Sequence, residues 1–196
     1  MRAAVDAVLA AWHVPPLGRD EAVGATDLAG IAARRGLQDL PLVGNGSMLR
    51  LLDLPAILEL RVPGADQPRA VALTGMTDGR AVLAVEGSPT SVDAAFLDRH
   101  WFGNAHVFWR DFDGLGPVVG RGYHGTSVAK LQALLRRAGA YDGPATGQFD
   151  AATEAAVLAF QRERFLSVDG RVGRLTRIVL YAAAGGYPRP TLGNTS

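Results

Sequence analysis

The sequence predicts an α+β chain in two parts: a mixed domain of helices and antiparallel sheet, then an all-α domain of three helices. Three observations predict it. Apolar residues recur at helical spacing up to about residue 54, at strand spacing from Ala56 to Asp111, and at helical spacing again from Ser127. Between the last two patterns lies Asp111–Gly125 (DFDGLGPVVGRGYHG), with five glycines, one proline and no sustained period. The last third then repeats a skeleton. Leu131-Gln132 is followed by Tyr141-Asp142-Gly143 and Gly147, and Phe160-Gln161 by Val168-Asp169-Gly170 and Gly173. The expected layout is a first domain over 1–113, a linker over 114–125, a second domain over 126–184 and a tail over 185–196.

The first domain opens with an amphipathic helix. Val5, Val8, Leu9 and Trp12 share a face, Asp6 interrupts the apolar run, and Pro15-Pro16 stop it. This reading is preferred to a cleaved signal, so any targeting segment is expected outside this sequence. A second helix is expected from about Asp27 to Arg35, with Thr26 as N-cap and Gly36 as C′ residue. Ser47 is read as the cap of a short third helix ended by Pro55. Ala56–Val62, Arg69–Thr74 and Arg80–Val85 read as strands, and Thr77-Asp78-Gly79 joins the last two into a hairpin. His106–Asp111 closes the sheet. Phe108 and Trp109 point to opposite faces there, and with Trp101 they are read as anchors between sheet and helices. Helices followed by a run of strands give the α+β class.

In the second domain, Ser127–Arg137 carries Val128, Leu131, Leu134 and Leu135 on one face. Asp150 caps the next helix through the amides of Ala152 or Thr153. Gly173 precedes the third. Leu131, Leu135, Val157, Phe160, Val168, Val172 and Leu175 are the expected core. The Asp-Gly pairs are read as turn formers, and Gln132 and Gln161 as side chains bonded to loop backbone.

Composition narrows the function. The 196 residues are 48% apolar and 20% charged, enough to bury a core without staples. There is no cysteine, which removes thiol catalysis, disulfides and thiolate metal sites together. No apolar run approaches membrane-spanning length. Residues 1–115 hold 10 arginines against 14 acids, whereas residues 116–196 hold 9 arginines and Lys130 against 5 acids. A mildly basic second half suits an anionic polymer, but on charge alone an ordinary solvated surface is the favoured reading. With one lysine in the chain, no nucleic-acid arm is expected. The four histidines lack metal-ligand spacing. His100 and His106 are close enough in sequence to meet, yet capping or packing is the favoured reading, and no metal or cofactor is expected. Asp111 and Asp113 near Asp98 show no glycosidase arrangement.

The pattern V-x-x-L-Q-x-L-L … Y-D-G-x-x-T-G-x-F-D-x-x-T-x-x-A-V-x-x-F-Q … V-D-G-x-V-G-x-x-T runs from Val128 to Thr176. It resembles the three-helix peptidoglycan-binding domain of bacteria. Many positions at fixed spacing make this a specific signal. In the first domain, Gly36-Leu37, Leu54–Leu60, the hairpin, Trp101-Phe102-Gly103 and Val107–Arg110 resemble the non-cytoplasmic region of general secretion pathway protein A. In that family a papain-like, C39-peptidase-like domain precedes a peptidoglycan-binding module. The resemblance implies a periplasmic setting, a membrane attachment through a segment outside this chain, and a role in type II secretion, helping the secretin assemble across the wall. It implies peptidoglycan as partner, with protein B of the pathway and the secretin as further partners. No Gly-Lys-Ser/Thr phosphate loop is present, so no ATPase activity carries over.

A C39-like peptidase needs a cysteine on its first core helix and a histidine opening a central strand. Here the helix begins Thr26-Asp27-Leu28, the strand begins with Arg69, and the chain has no cysteine. The expectation is a non-catalytic, degenerate peptidase fold. Ligand contacts are expected from polar and aromatic groups around the first Asp-Gly turn and the third-helix start: Tyr141, Asp142, Thr146, Gln148, Arg171 and Arg174. Tyr stacks on sugar faces, Gln bonds amides and Arg holds a stem-peptide carboxylate. The alternatives are a cell-wall hydrolase with a wall-binding module, and a protein–protein adaptor.

Overall fold

The computed structural model describes residues 1–77, 79–116 and 119–193. It divides into two compact units, Met1–Arg110 joined by the segment from Arg189, and Asp111–Pro188. As the sequence predicts, the first unit is α+β with an antiparallel sheet and the second is all helix.

In the first unit, α1 (Arg2–Ala11) buries Ala4, Val5, Val8 and Leu9 against the sheet, as its 3.6-residue period requires. Pro15 and Pro16 follow it. Ala25–Asp27 forms a 3-10 turn and α2 spans Leu28–Ala33. Thr26 is therefore not the N-cap. Asp27 instead folds back to accept the Gly24 amide at 2.8 Å, because the chain enters the helix through a 3-10 turn that already includes Thr26. Helix α3 (Gly46–Leu52) is capped by Asn45, which accepts from Met48 N at 3.0 Å, and not by Ser47. Helix α4 is Ala94–His100.

The six strands are β1 (Gln38–Val43), β2 (Ala56–Leu60), β3 (Arg69–Thr77), β4 (Arg80–Val85), β5 (Ser88–Asp93) and β6 (Trp101–Trp109). Their order is β1-β6-β2-β3-β4-β5, and every neighbouring pair is antiparallel. The β3–β4 hairpin forms as expected; Asp78 of its turn lies outside the described residues. Strands β1 and β5 are missing from the sequence reading because each contains a proline, Pro41 and Pro89, and both lie at the sheet edges where a missing N–H is tolerated. Strand β6 starts at Trp101, five residues earlier than expected, and ends at Trp109. Trp101, Phe108 and Trp109 are all buried, in keeping with an anchoring role.

The expected frayed tail is corrected over 189–193. Asp53, the C-cap of α3 at φ 48, accepts Arg189 Nη2 at 2.8 Å and Leu192 N at 2.9 Å. Met76 N donates to Leu192 O at 2.7 Å, and Leu192 is 1% exposed. One apolar side chain and one left-handed carboxylate hold down a segment that its glycines and prolines make look loose.

The second unit contains α5 (Thr126–Arg137), α6 (Ala151–Glu163) and α7 (Arg174–Ala184). Its core is Val128, Leu131, Leu134, Leu135, Phe149, Val157, Phe160, Val172 and Ile178–Leu180. Val168 is 47% exposed and Leu175 half-buried, so both leave the expected core. Val168 sits on the rim of a loop whose glutamine-bound residues face inward, and its side chain is turned out.

Residues before α5 are pinned to α7. Arg177, 1% exposed, reaches Asp111 at 2.8 Å, and Tyr181 donates its hydroxyl to the same carboxylate at 2.6 Å. Leu115 N and Gly116 N also donate to it. Burial pushes the Tyr181 hydroxyl well above its ordinary range, and the Asp111 bond adds to that. Tyr187 packs on Phe112 and Tyr181, and gives its hydroxyl to Asp113 at 2.6 Å. Its hydroxyl is pushed up to about 12 by burial and by the Asp113 bond.

Removing the carboxylate with Asp111→Ala takes its acidic partner from the buried Arg177 and should cost about 3–5 kcal/mol in urea unfolding. Arg121→Ala breaks the exposed pair with Glu154, whose arginine side chain is 73% exposed, and should cost under about 1 kcal/mol.

Candidate functional site

The three helices of the second unit are joined by loops, and two buried glutamines hold the loops in place. Gln132, 0% exposed, projects from α5. Its carbonyl accepts Gly147 N at 2.9 Å, and its amide donates to Gln148 O at 3.0 Å and Thr153 Oγ1 at 2.9 Å. Gln161, 1% exposed, does the same from α6. Its carbonyl accepts Gly170 N at 3.0 Å and Asp169 N at 3.1 Å, and its amide donates to Arg171 O at 2.9 Å and Thr176 Oγ1 at 3.4 Å. A carboxamide side chain carries its acceptor and its donors on separate atoms, so it can meet a backbone N–H with one and a backbone C=O with the other. Gly147 and Gly170 present those groups from φ +73 and +69, where a side chain would be strained.

This fixes the register of the internal repeat. Gly147-Gln148-Phe149-Asp150 corresponds to Gly170-Arg171-Val172-Gly173, with Thr153 and Thr176 three residues further on. The sequence pairs Gly143 with Gly170 instead. Gly143 is not left-handed, and it packs under the Tyr141 ring, so Asp142-Gly143 is not the counterpart of the Asp169-Gly170 turn. In that turn, Asp169 accepts Arg171 N at 2.9 Å and the Gln161 amide at 2.8 Å. Partial burial would raise the Asp169 carboxyl, yet these hydrogen bonds hold it below the usual range. Asp150 caps α6 through Thr153 N and Oγ1, both at 2.8 Å, and its carboxyl is lowered chiefly by the Thr153 amide.

The six expected ligand residues do not fall in one place. Tyr141 is 8% exposed, and its hydroxyl bonds Pro144 O at 3.3 Å, so its ring is not the open platform expected. The ring fills the space that a side chain at position 143 would need, so a glycine there lets it turn inward. With Asp142, Ala133, Arg136 and Arg137 it lines an open cleft of 550 Å³. Thr146 is exposed, but its hydroxyl takes bonds from the Gln132 amide and Gln148 N. The Gln148 side chain is exposed and lines a second cleft with Tyr123, His124, Phe149 and Asp150. Arg171 and Arg174 are exposed around the start of α7. Tyr123 and His124 are missing from the ligand contacts expected from the sequence. Their signal is Gly122-Tyr123-His124-Gly125, which repeats the glycine-to-cap spacing of the other two loops.

In the first unit His106 does not meet His100. His106 Nδ1 lies 3.0 Å from Asp39 Oδ2 across β6 and β1, while His100 Nδ1 bonds Arg61 O at 2.9 Å. The sheet puts His106 beside β1, and the start of β6 turns His100 the other way. Among the described residues no cluster of three or more histidines or acids is arranged for a metal, and no helix is long and apolar enough to cross a membrane.

The second unit, with its two loop clamps, is the part that known families recognise. Residues 124–180 match the family model described as "Putative peptidoglycan binding domain". The chain shares its fold with a periplasmic domain of the EpsAB fusion protein of the Vibrio vulnificus type II secretion system, at 23% identity over 92% of this chain and 77% of that one, TM-score 0.57. The SleB N-terminal domain matches at 37% identity over 35% of this chain and 93% of its own, TM-score 0.34. The N-terminal peptidase C39 like domain of the toxin secretion ATP-binding protein from Vibrio parahaemolyticus matches at 21% identity, over 52% of this chain and 81% of its own, TM-score 0.37. No curated protein matches the chain.

The clamps of the helical unit can be tested in two ways. Gln132→Leu or Gln161→Leu orphans buried amides, at about 1–3 kcal/mol for each group. Far-UV circular dichroism should register the loss during urea unfolding. Tryptophan fluorescence should not, because Trp12, Trp101 and Trp109 all belong to the first unit. Asp150 and Asp169 have folded values below that of a free carboxyl. Their stabilisation is complete above about pH 4 and is lost as pH falls through the lower folded values. Acid titration of the helical signal should show that fall, and Asp150→Asn, which keeps a cap, should flatten it.

Proposed function

We propose that the chain is a non-catalytic peptidoglycan-binding component of a bacterial type II secretion apparatus, working in the periplasm. The observation that carries this reading is the family match over residues 124–180, which takes in α5, α6, both glutamine-held loops and α7 as far as Leu180. The fold held in common with a periplasmic domain of a type II secretion protein supports the setting. On this reading the protein is tied to the inner membrane by a segment outside this chain, grips the wall, and helps the secretin assemble across it. Protein B of the pathway and the secretin are its proposed protein partners.

The first unit is read as a scaffold with a peptidase-like ancestry. A cysteine-peptidase mechanism needs a thiolate to attack and an imidazole to move the proton. The chain has no cysteine, Thr26 lies in the turn before α2, and Arg69 opens β3. His106 and Asp39 form a pair of the kind that orients a base, which is the observation favouring a hydrolase as second reading.

Asp142, Thr146, Gln148, Arg171 and Arg174 are the proposed wall contacts. The exposed arginines suit stem-peptide carboxylates, which an arginine fork holds bidentately. Purified chain mixed with intact sacculi should pellet with them and release no soluble muropeptides. Arg171→Glu with Arg174→Glu should cut the pelleted fraction most strongly at low salt, where exposed charges act over the longest range. Undiminished pelleting of that variant would contradict the arginine contacts. Muropeptide release would favour the hydrolase.

A further inference from the structure

The cleft beside Gln148 is a built site, and its chemistry is selective. It measures 390 Å³, within the range of roughly 300–1,000 Å³ usual for small-molecule sites. Two loops meet in it as a short antiparallel ribbon. Gly125 N donates to Gly147 O at 2.7 Å, Phe149 N donates to Tyr123 O at 2.9 Å, and His124 bridges Gln148. The backbone of Gln148 is held on both sides, its N–H by Thr146 Oγ1 at 3.2 Å and its C=O by the Gln132 amide at 3.0 Å. The backbone that lines the cleft therefore needs little ordering on binding, which favours affinity.

Four side chains carry the recognition. Tyr123 is 52% exposed and offers a ring that Tyr141, turned inward, does not. His124, Gln148 and Asp150 are exposed around it. Among the described residues, the Tyr123 hydroxyl, the His124 ring and the Gln148 amide make no hydrogen bond within the protein. One Asp150 oxygen is used for capping, and the Thr153 bonds hold its carboxyl below the usual range. The lining contains this carboxylate and neither Arg nor Lys. A stem-peptide carboxylate would meet a like charge there. A ligand rich in hydroxyls and amide N–H groups, with an apolar face for the ring, meets acceptors, a planar amide and a platform.

We propose that the Tyr123–Gln148 cleft is a subsite for a chain of N-acetylated hexosamines, so that it reads the glycan strand rather than the stem peptide. The proposal rests on the wall-binding reading above and deepens it. Tyr123 stacks on a sugar face, the Gln148 amide pairs with an acetamido group, and Asp150 and His124 take ring hydroxyls. Arg171 and Arg174 are left to any peptide contact. The division of labour puts polymer-backbone recognition on the ribbon between the first two loops.

The test uses the full chain and three probes: the N-acetylglucosamine tetramer, glycan strands freed of stem peptides by an amidase and with the lactyl carboxylates it leaves capped as methylamides, and free stem peptides. Nitrogen–proton NMR should show saturable shifts at Tyr123, Gln148 and Phe149 with both glycan probes and none there with the peptides. Tyr123→Ala and Gln148→Ala should each lower retention on sacculi about tenfold, while Tyr123→Trp retains it. Shifts with the tetramer but not with wall strands would assign the cleft to a different acetamido glycan and overturn its place in wall binding. Shifts at the cleft with peptides alone, or wild-type retention by both alanine variants, would overturn the proposal and leave the wall-binding reading standing. Failure of the unaltered chain to pellet with sacculi would overturn that reading, and the proposal with it.

Discussion

The second unit depends on two glutamine side chains that have no contact with solvent. A loop between short helices has backbone amides and carbonyls that water would otherwise satisfy. Gln132 and Gln161 satisfy them from inside, each taking a glycine N–H, the next carbonyl and a threonine at the start of the following helix. A buried polar network of this kind is costly if one member is missing and specifying when all are present. Here all are present. Of the buried polar or charged residues among those described, Gln132, Thr153, Gln161 and Thr176 belong to the two clamps, and Arg177 to the Asp111 pair. The outward residues, Gln148 and Arg171, are held by the same bonds that fix the loops. The surface offered to a ligand is thus a by-product of how the interior closes.

Much of this was legible in the sequence, for identifiable reasons. The Leu-Gln and Phe-Gln pairs, the Asp150 cap and the apolar stripes of α5 and α6 are local signals, and local geometry obeys them. The hairpin of β3 and β4 was legible for the same reason. Long-range constraints escaped. Strands β1 and β5 each contain a proline, and β5 is polar besides, so their position at the two sheet edges is what accommodates them as strands. The tail is ordered by Asp53, 136 and 139 residues away in sequence, which no local pattern reports.

The candidate site was legible as a region and not as a surface. Thr146, Gln148 and Arg171 do lie on the glutamine-held loops. Tyr141 was misjudged because aromatic character alone does not say which way a ring turns; the packing of Gly143 beneath it decides that. Tyr123 and His124 were overlooked because their stretch was read as linker. The correct register of the repeat, set by the left-handed glycines Gly122, Gly147 and Gly170 and not by the Asp-Gly pairs, would have aligned all three loops.

Amide hydrogen exchange on the intact chain tests the clamp account most directly. If the buried glutamines hold the loops, the Gly147 and Gly170 amides exchange only when the whole helical unit opens, as slowly as amides in the middle of α5 and α6. Exchange of those two glycines at the rate of the exposed neighbour Ala145 would contradict it. The loops would then be held by something other than Gln132 and Gln161.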